Sequence, residues 1–214
     1  MSWSKKSRSR KGYHHGNLRE ALVDAALSLI SEKGLGGFSF AEAARAAGVS
    51  PAAPYRHFRD RDALLADVAQ RGFEALAERL DEAWDDGRPE PVKAFDALGR
   101  AYLDFAREEP AYYVAMFESQ LAPADYPEMN RAGDAAFGVL RRAAEAVAAT
   151  MPEGRRPPAM MVALHMWSMA HGIASLFGRG DPGRRPLPMS AEALLEAATL
   201  VYFQGLRDDG RGPT

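Results

Sequence analysis

Three consecutive polar side chains, Tyr55, Arg56 and His57, are the groups of this 214-residue chain best suited to chemistry with a partner. Each carries hydrogen-bond donors, and a guanidinium can donate two parallel hydrogen bonds to one acceptor pair, such as O6 and N7 of guanine. Phe58 follows and is predicted to face inward, which would leave the three polar groups outside. This pattern favours hydrogen bonding to nucleic acid.

Catalytic groups, by contrast, do not occur at useful spacing. The sequence has no carboxylate pair, no Cys–His pair and no glycine-rich phosphate loop, and it has no cysteine at all, which excludes disulfides and thiolate metal sites. His14 and His15 are adjacent, but two histidines are too few ligands for a metal site. We therefore expect no catalytic residues, no metal and no cofactor.

Two short helices joined by a glycine turn are predicted to position the polar groups. Ser39 and Glu42 form an S-x-x-E capping box, which starts the first helix. Gly48 supplies a turn that needs left-handed backbone angles, and Ser50 is predicted to cap the second helix. Residues 39–58 thus have the pattern of a helix-turn-helix, which can place its second helix in a DNA major groove.

The flanking helices extend this pattern into a longer one. An amphipathic helix is predicted to begin at Asn17 and to end at Gly34, and a long helix is predicted after the cap Asp60, with Arg61 in its first turn. This order resembles the TetR family of one-component transcriptional regulators over residues 16–76. The resemblance implies an all-α fold, with a three-helix DNA-binding domain followed by a helical ligand-binding and dimerisation domain.

The resemblance also implies roles at the DNA. Tyr55 and His57 resemble residues that contact phosphates, and Arg61 resembles a basic residue that binds a phosphate at the start of the following helix. Arg56 lies where base edges are reached and is the candidate for reading guanine. The expected DNA-contacting residues are Ser39, Ser50, Ala52, Ala53, Tyr55, Arg56, His57 and Arg61.

Two positions depart from the family's pattern. Ala41 stands where many members have a longer polar side chain, which puts a base contact from that helix in question. Pro54 replaces a more common leucine and removes one helical N–H. Two alternatives stay open: Tyr55 as a packing residue and Arg56 as a solvated one.

Charge is distributed unevenly along the chain. Up to Arg61 there are 11 Lys and Arg against 5 Asp and Glu, whereas the remainder has 16 against 24. A basic first third on an acidic body should orient the molecule toward phosphate. Residues 1–15 are predicted to be a basic flexible arm, either a solubilising tail or an arm that contacts DNA.

The C-terminal domain is predicted to span residues 77–206, followed by a disordered tail at 207–214. Its W-x-x-x-H-G run at Trp167–Gly172 resembles the signature of a TetR subgroup with a WHG-type C-terminal domain. Trp167 and His171 either contact a ligand or only pack in the core. The candidate pocket residues are Tyr102, Phe105, Tyr113, Met116, Phe117, Phe137, Met161, Leu164, Trp167 and His171, whose aromatic and methionine side chains suit a small apolar or amphipathic molecule.

Residues 159–177 form a stretch without Asp, Glu, Lys or Arg. Its length would allow a membrane span, but we favour a helix buried between the protein's own core and a second copy. The candidate dimer-interface residues are Met169, Ile173, Leu176, Phe177, Leu195, Ala198 and Tyr202.

The function predicted from sequence is a homodimeric repressor that a small molecule releases from a near-palindromic DNA operator. We expect it in the cytoplasm, associated with the nucleoid and without a membrane partner. Two alternatives stay open. One is a DNA-binding regulator that has no effector or that activates transcription. The other is a helical small-molecule-binding protein that does not read DNA.

Overall fold

The computed structural model describes residues 18–177 and 188–208. Over those ranges it is all-α without a strand, which confirms the predicted fold class. The helices are α1 (Leu18–Lys33), α2 (Phe40–Ala46), α3 (Arg61–Trp84), α4 (Pro91–Glu108), α5 (Pro110–Phe117), α6 (Pro127–Ala149), α7 (Ala159–Phe177) and α8 (Ala191–Asp208). The predicted arm at 1–15, the cap at Asn17 and most of the predicted tail lie outside the described residues. α8 itself extends two residues into that predicted tail.

The first three helices form a small domain whose ends follow the predicted caps. Gly34 adopts a φ of 68°, and its N–H donates to the carbonyl of Ile30 at 2.8 Å, which ends α1. Asp60 caps α3, because its carboxylate accepts from the N–H of Ala63 at 2.8 Å. These caps fix where α1 ends and where α3 begins.

α3 is the longest helix and belongs to both parts of the molecule. It packs on α1 at its N-terminal end and on α4, α5 and α6 further along. The predicted boundary between residues 76 and 77 therefore falls inside one continuous helix. Gly72 permits the close approach of α5, since a Cβ there would lie 2.6 Å from Met116 Sδ and 3.1 Å from Tyr112 Cβ.

A cluster of ion pairs around the buried Asp67 joins α3 to α1. Asp67 is only 7% exposed and pairs with Arg19 of α1, and its other oxygen accepts from Arg71 Nε at 3.2 Å. Arg71 also donates to both carboxylate oxygens of Glu20, and these hydrogen bonds are the main reason that its pKa is raised, against the opposing effect of burial. This set of Arg19, Glu20, Asp67 and Arg71, the Asp67 cluster, fixes α1 relative to α3.

α7 combines a buried face with an exposed C-terminal end. One face is buried in the protomer through Val162, Met166 and Ala170, but Leu176 and Phe177 are exposed. By length and composition α7 is the one helix of the described chain that could cross a membrane. Because that face packs against α4, α6 and α8, α7 is also a core helix.

Substitution of Asp67 by Asn should lower the free energy of unfolding by roughly 1–3 kcal/mol, because Arg19 loses its anionic partner and Arg71 loses one of two. Urea denaturation measures this loss. Asp81→Asn is the matched control, since Asp81 pairs with Arg142 on the surface at 2.7 Å, where a pair contributes up to about 1 kcal/mol. Equal losses in the two variants would contradict a structural role for the cluster.

Candidate DNA interface and ligand cavity

The first helix of the motif has the predicted cap. Ser39 Oγ accepts from the N–H of Glu42 at 3.2 Å and donates to its carboxylate at 2.8 Å. Lys33 of α1 donates to the same carboxylate at 2.8 Å. The pKa of Glu42 is lowered, first by the hydrogen bond from Lys33 and then by that from Ser39. The start of α2 is thus fixed to the end of α1.

The second helix of the motif differs from the prediction. Gly48 makes the turn with a φ of 71°, but an α-helix capped by Ser50 does not follow. Residues Ala53–Arg56 form a short 3-10 helix, here called the recognition segment, and the Ser50 side chain makes no cap. Pro54 explains the difference: in an α-helix its N–H would bond to the Ser50 carbonyl, and proline has none. That carbonyl instead accepts from Ala53 at 3.0 Å.

The recognition segment presents the predicted polar side chains to solvent. Tyr55, Arg56 and His57 are all exposed, and within the described residues the Arg56 side chain has no hydrogen-bond or ion-pair partner. The ring of Tyr55 packs edge-on against Phe40 at 5.0 Å while remaining 64% exposed. Phe58 is buried, as predicted, with the Arg19 guanidinium 5.1 Å from its ring centroid.

The other predicted DNA-contacting residues vary in exposure. Ser50 and Ala52 are exposed, whereas Ser39 and Ala53 are half-buried. Arg61 is half-buried and satisfies backbone groups of its own domain: it donates to the carbonyl of Leu35 at 2.7 Å and to that of Phe38 at 3.0 Å. The sequence indicated only a phosphate contact for Arg61, and these carbonyl hydrogen bonds add a structural role.

A cavity of about 350 Å³ lies in the C-terminal domain, between α3, α4, α6, α7 and α8. Five of the ten predicted pocket residues line it: Tyr102, Phe117, Phe137, Leu164 and Trp167. The lining that sequence reasoning missed includes Phe73, Leu76 and Leu80 of α3, Phe95 and Leu98 of α4, and Leu195 and Thr199 of α8. Most of this surface is apolar, which suits an apolar ligand body.

The remaining five predicted pocket residues do not line the cavity. Phe105, Tyr113 and Met116 are buried in the core, and Met161 and His171 are half-buried elsewhere. An apolar sequence pattern predicts that side chains are buried, but it does not distinguish a packed core from the wall of a pocket.

His171 forms hydrogen bonds with two tyrosine side chains of neighbouring helices. Its Nδ1 lies 2.8 Å from the Tyr102 hydroxyl and 2.9 Å from that of Tyr113. Burial is the main reason that the pKa of Tyr102 is raised, and the neighbouring Tyr113 adds to it. Trp167 lines the cavity, where it could contact a ligand. His171 instead packs in the core and joins α7 to α4 and α5.

The predicted dimer-interface residues separate into two groups. Leu195 and Ile173 are buried within one protomer, and Leu195 lines the cavity. Leu195 and Thr199 are four residues apart and share the inward face of α8. The other predicted residues lie at the outer surface. Leu176 and Phe177 are exposed. A shallow apolar groove between α7 and α8 is lined by Met169, Leu194, Ala197, Ala198, Val201 and Tyr202.

The fold joins a domain with a helix-turn-helix arrangement to a helical domain that contains the cavity, and sequence comparison identifies the class of protein. Residues 22–68 match the family profile described as bacterial regulatory proteins, tetR family, and residues 95–201 match the tetracyclin repressor-like C-terminal domain. Together the two matches cover most of the chain. The protein therefore belongs to the TetR family of DNA-binding transcriptional regulators.

Individual relatives are consistent with this assignment. YobS of Bacillus subtilis strain 168, an uncharacterized helix-turn-helix transcriptional regulator, is 31% identical over 100 residues, which are 47% of this chain and 51% of YobS. The chain thus spans about half the length of that relative. A structure of a protein of unknown function from Rhodococcus sp. RHA1 superimposes with a TM-score of 0.75 at 32% identity, covering 92% of this chain and 98% of the other.

A second solved structure is similar in fold alone. AibR, solved in complex with isovaleryl coenzyme A and operator DNA, has a TM-score of 0.66 at 18% identity, with 86% of this chain and 97% of AibR covered. The ligands named for AibR are properties of that protein.

Replacement of Arg61 by Ala should lower the free energy of unfolding by roughly 1–2 kcal/mol, because the carbonyls of Leu35 and Phe38 lose their donor. Arg45→Ala is the control, since Arg45 is an exposed arginine of α2. Urea titrations of the two variants compare the effects. If both unfold at the same urea concentration, the carbonyl contacts do not contribute to stability.

Proposed function

We propose that the protein is a homodimeric repressor that a small apolar or amphipathic ligand releases from a near-palindromic operator. The observation that carries this proposal is the course of α3. Its first turn adjoins the recognition segment, and Phe73, Leu76 and Leu80 further along line the cavity. A ligand that repositions α3 would therefore reposition the DNA-binding residues.

At the DNA, the recognition segment contacts the major groove. Arg56 reads guanine, since its guanidinium is exposed and has no partner among the described residues. Tyr55 and His57 contact phosphates beside it. Arg61, because it also supports its own domain, contacts a phosphate only with the part of the guanidinium that the carbonyls leave accessible.

The homodimer forms through the outer faces of α7 and α8. Those faces expose large apolar side chains, among them Leu176, Leu200 and Val201, and such a patch is typical of an interface. A twofold pair would place two recognition segments about 34–36 Å apart, on successive major grooves. This spacing is the reason for expecting a near-palindromic operator.

Release requires that the ligand distinguish two conformations of the dimer. To shift a population from mostly bound to mostly released, the ligand must prefer the released state by roughly 10⁴-fold, or about 5.5 kcal/mol. A cavity of about 350 Å³ with an apolar lining can bury enough of a small ligand for such a preference.

Two finer assignments are part of the same proposal. The first is membership of the subgroup with a WHG-type C-terminal domain, which the resemblance of the W-x-x-x-H-G run supports. The repressor acts in the cytoplasm, associated with the nucleoid. Within the described residues nothing favours an activator over a repressor, and a regulator without an effector would leave the cavity without a role.

Selection of bound sequences from a random DNA pool tests the proposal. The wild type should enrich a near-palindrome, and Arg56→Ala should lose the preference at one base of each half-site, a change of about 1–3 kcal/mol. Arg141→Ala, which removes an exposed arginine of α6 that pairs with Glu145, should enrich the wild-type sequence.

Two results would count against the DNA-reading role. One is that the wild type enriches no sequence. The other is that Arg56→Ala enriches the same sequence as the wild type with unchanged preference at every base.

A further inference from the structure

The ionisable groups along the cavity wall are strongly unbalanced in charge. Within the described part of the chain, four carboxylates line it, those of Asp96, Asp134, Glu192 and Glu196, against one guanidinium, that of Arg100. Among the described residues, Glu192 is the one of these carboxylates with an ion-pair partner, Arg107, at 2.6 Å. The apolar cavity therefore has an anionic margin.

Asp96 is the carboxylate whose position is hardest to explain by folding alone. It lies on α4 between the cavity-lining residues Phe95 and Leu98, and the side chain is partly withdrawn from solvent. Across the described residues it has no hydrogen-bond or ion-pair partner. Burial raises its pKa, Arg100 opposes this effect, and the nearby Glu196 adds to it.

A carboxylate without a partner in such a place lowers the stability of the ligand-free protein. Burial disfavours its ionised form, and a second carboxylate nearby disfavours it further. Arg100 is one helical turn away on α4, but it is exposed and does not approach within ion-pair distance. Groups that cost stability in a cavity are typical of binding sites, where a ligand supplies the missing interaction.

We propose that the cavity selects a cationic amphiphile, with an apolar body among the aromatic side chains and a positive headgroup beside Asp96. This inference rests on the proposed function and adds the chemical class of its effector. Asp96 and Glu196 attract the headgroup, and Asp134 of α6 adds to the same field. Phe117, Phe137 and Trp167 contact the apolar body.

An anionic ligand of the same shape is disfavoured by these charges. Its headgroup would lie among carboxylates, and Arg100 is the one basic residue among the described residues that line the cavity. Like charges in a partly desolvated site repel more strongly than in water. The cavity should therefore rank otherwise similar ligands by headgroup charge.

Isothermal titration calorimetry with three probes of equal chain length tests this ranking on the intact protein without DNA. The probes are decyltrimethylammonium, 1-decanol and decanoate, each below its aggregation concentration. The cation should bind most tightly and decanoate least. Asp96→Asn should weaken the affinity for the cation by about tenfold and change the affinity for decanol by less than about twofold.

Two further variants complete the test. Arg100→Gln should act in the opposite direction: it should raise the affinity for the cation and lower the affinity for decanoate. Asp81→Asn removes a carboxylate of α3 that does not line the cavity and should change none of the three affinities. Asp96→Asn should also unfold at a urea concentration no lower than that of the wild type, which excludes misfolding as the cause of weaker binding.

The outcomes separate the two proposals. If decanoate binds as tightly as the cation, or if Asp96→Asn leaves the affinity for the cation unchanged, the ligand class is wrong and a ligand-responsive cavity remains. If neither decanol nor the cation binds, both the ligand class and the effector role of the cavity are overturned.

Discussion

The rigid attachment of α3 to α1 is the constraint on which the two sites of this protein depend. Asp67 is buried between Arg19 and Arg71, and Arg71 also forms an ion pair with Glu20. Four charged side chains therefore join the two helices at one place. One turn further along α3, Gly72 lets α5 pack at close range. A helix fixed in this way cannot tilt at its cavity end without moving the DNA-binding domain.

Polar side chains in the core have hydrogen-bond partners, whereas a carboxylate at the cavity does not. Tyr102, Tyr113 and His171 hydrogen-bond to one another inside an apolar region and fasten three helices together. Asp96, in contrast, faces the cavity without a partner in the described chain. Paired polar groups in the core stabilise the fold, whereas a half-buried carboxylate left unpaired beside the cavity is the group that the proposed ligand would satisfy.

Much of this structure could be predicted from local sequence signals. The caps at Ser39 and Asp60 and the left-handed glycines at Gly34 and Gly48 depend on neighbouring residues only, and the structure confirms them. The recognition segment differs from the second helix predicted after Ser50, because Pro54 has no N–H to donate to the Ser50 carbonyl. The inward face of α8 was missed because an apolar periodicity shows that a face is covered and does not show by what. The Asp67 cluster joins residues 48 and 51 positions apart, a distance at which a single sequence gives no signal.

The distance between the two DNA-binding domains of the proposed dimer is the most direct test of coupling through α3. The chain has no cysteine, so a spin label at Glu32→Cys, an exposed position near the end of α1, reports that distance by pulsed electron resonance. Binding of decyltrimethylammonium should shift the distribution. Gly133→Leu, which fills the cavity, should abolish the shift, and Gly138→Leu, outside it on the same helix, should preserve it. An unchanged distribution at saturating ligand would contradict the coupling.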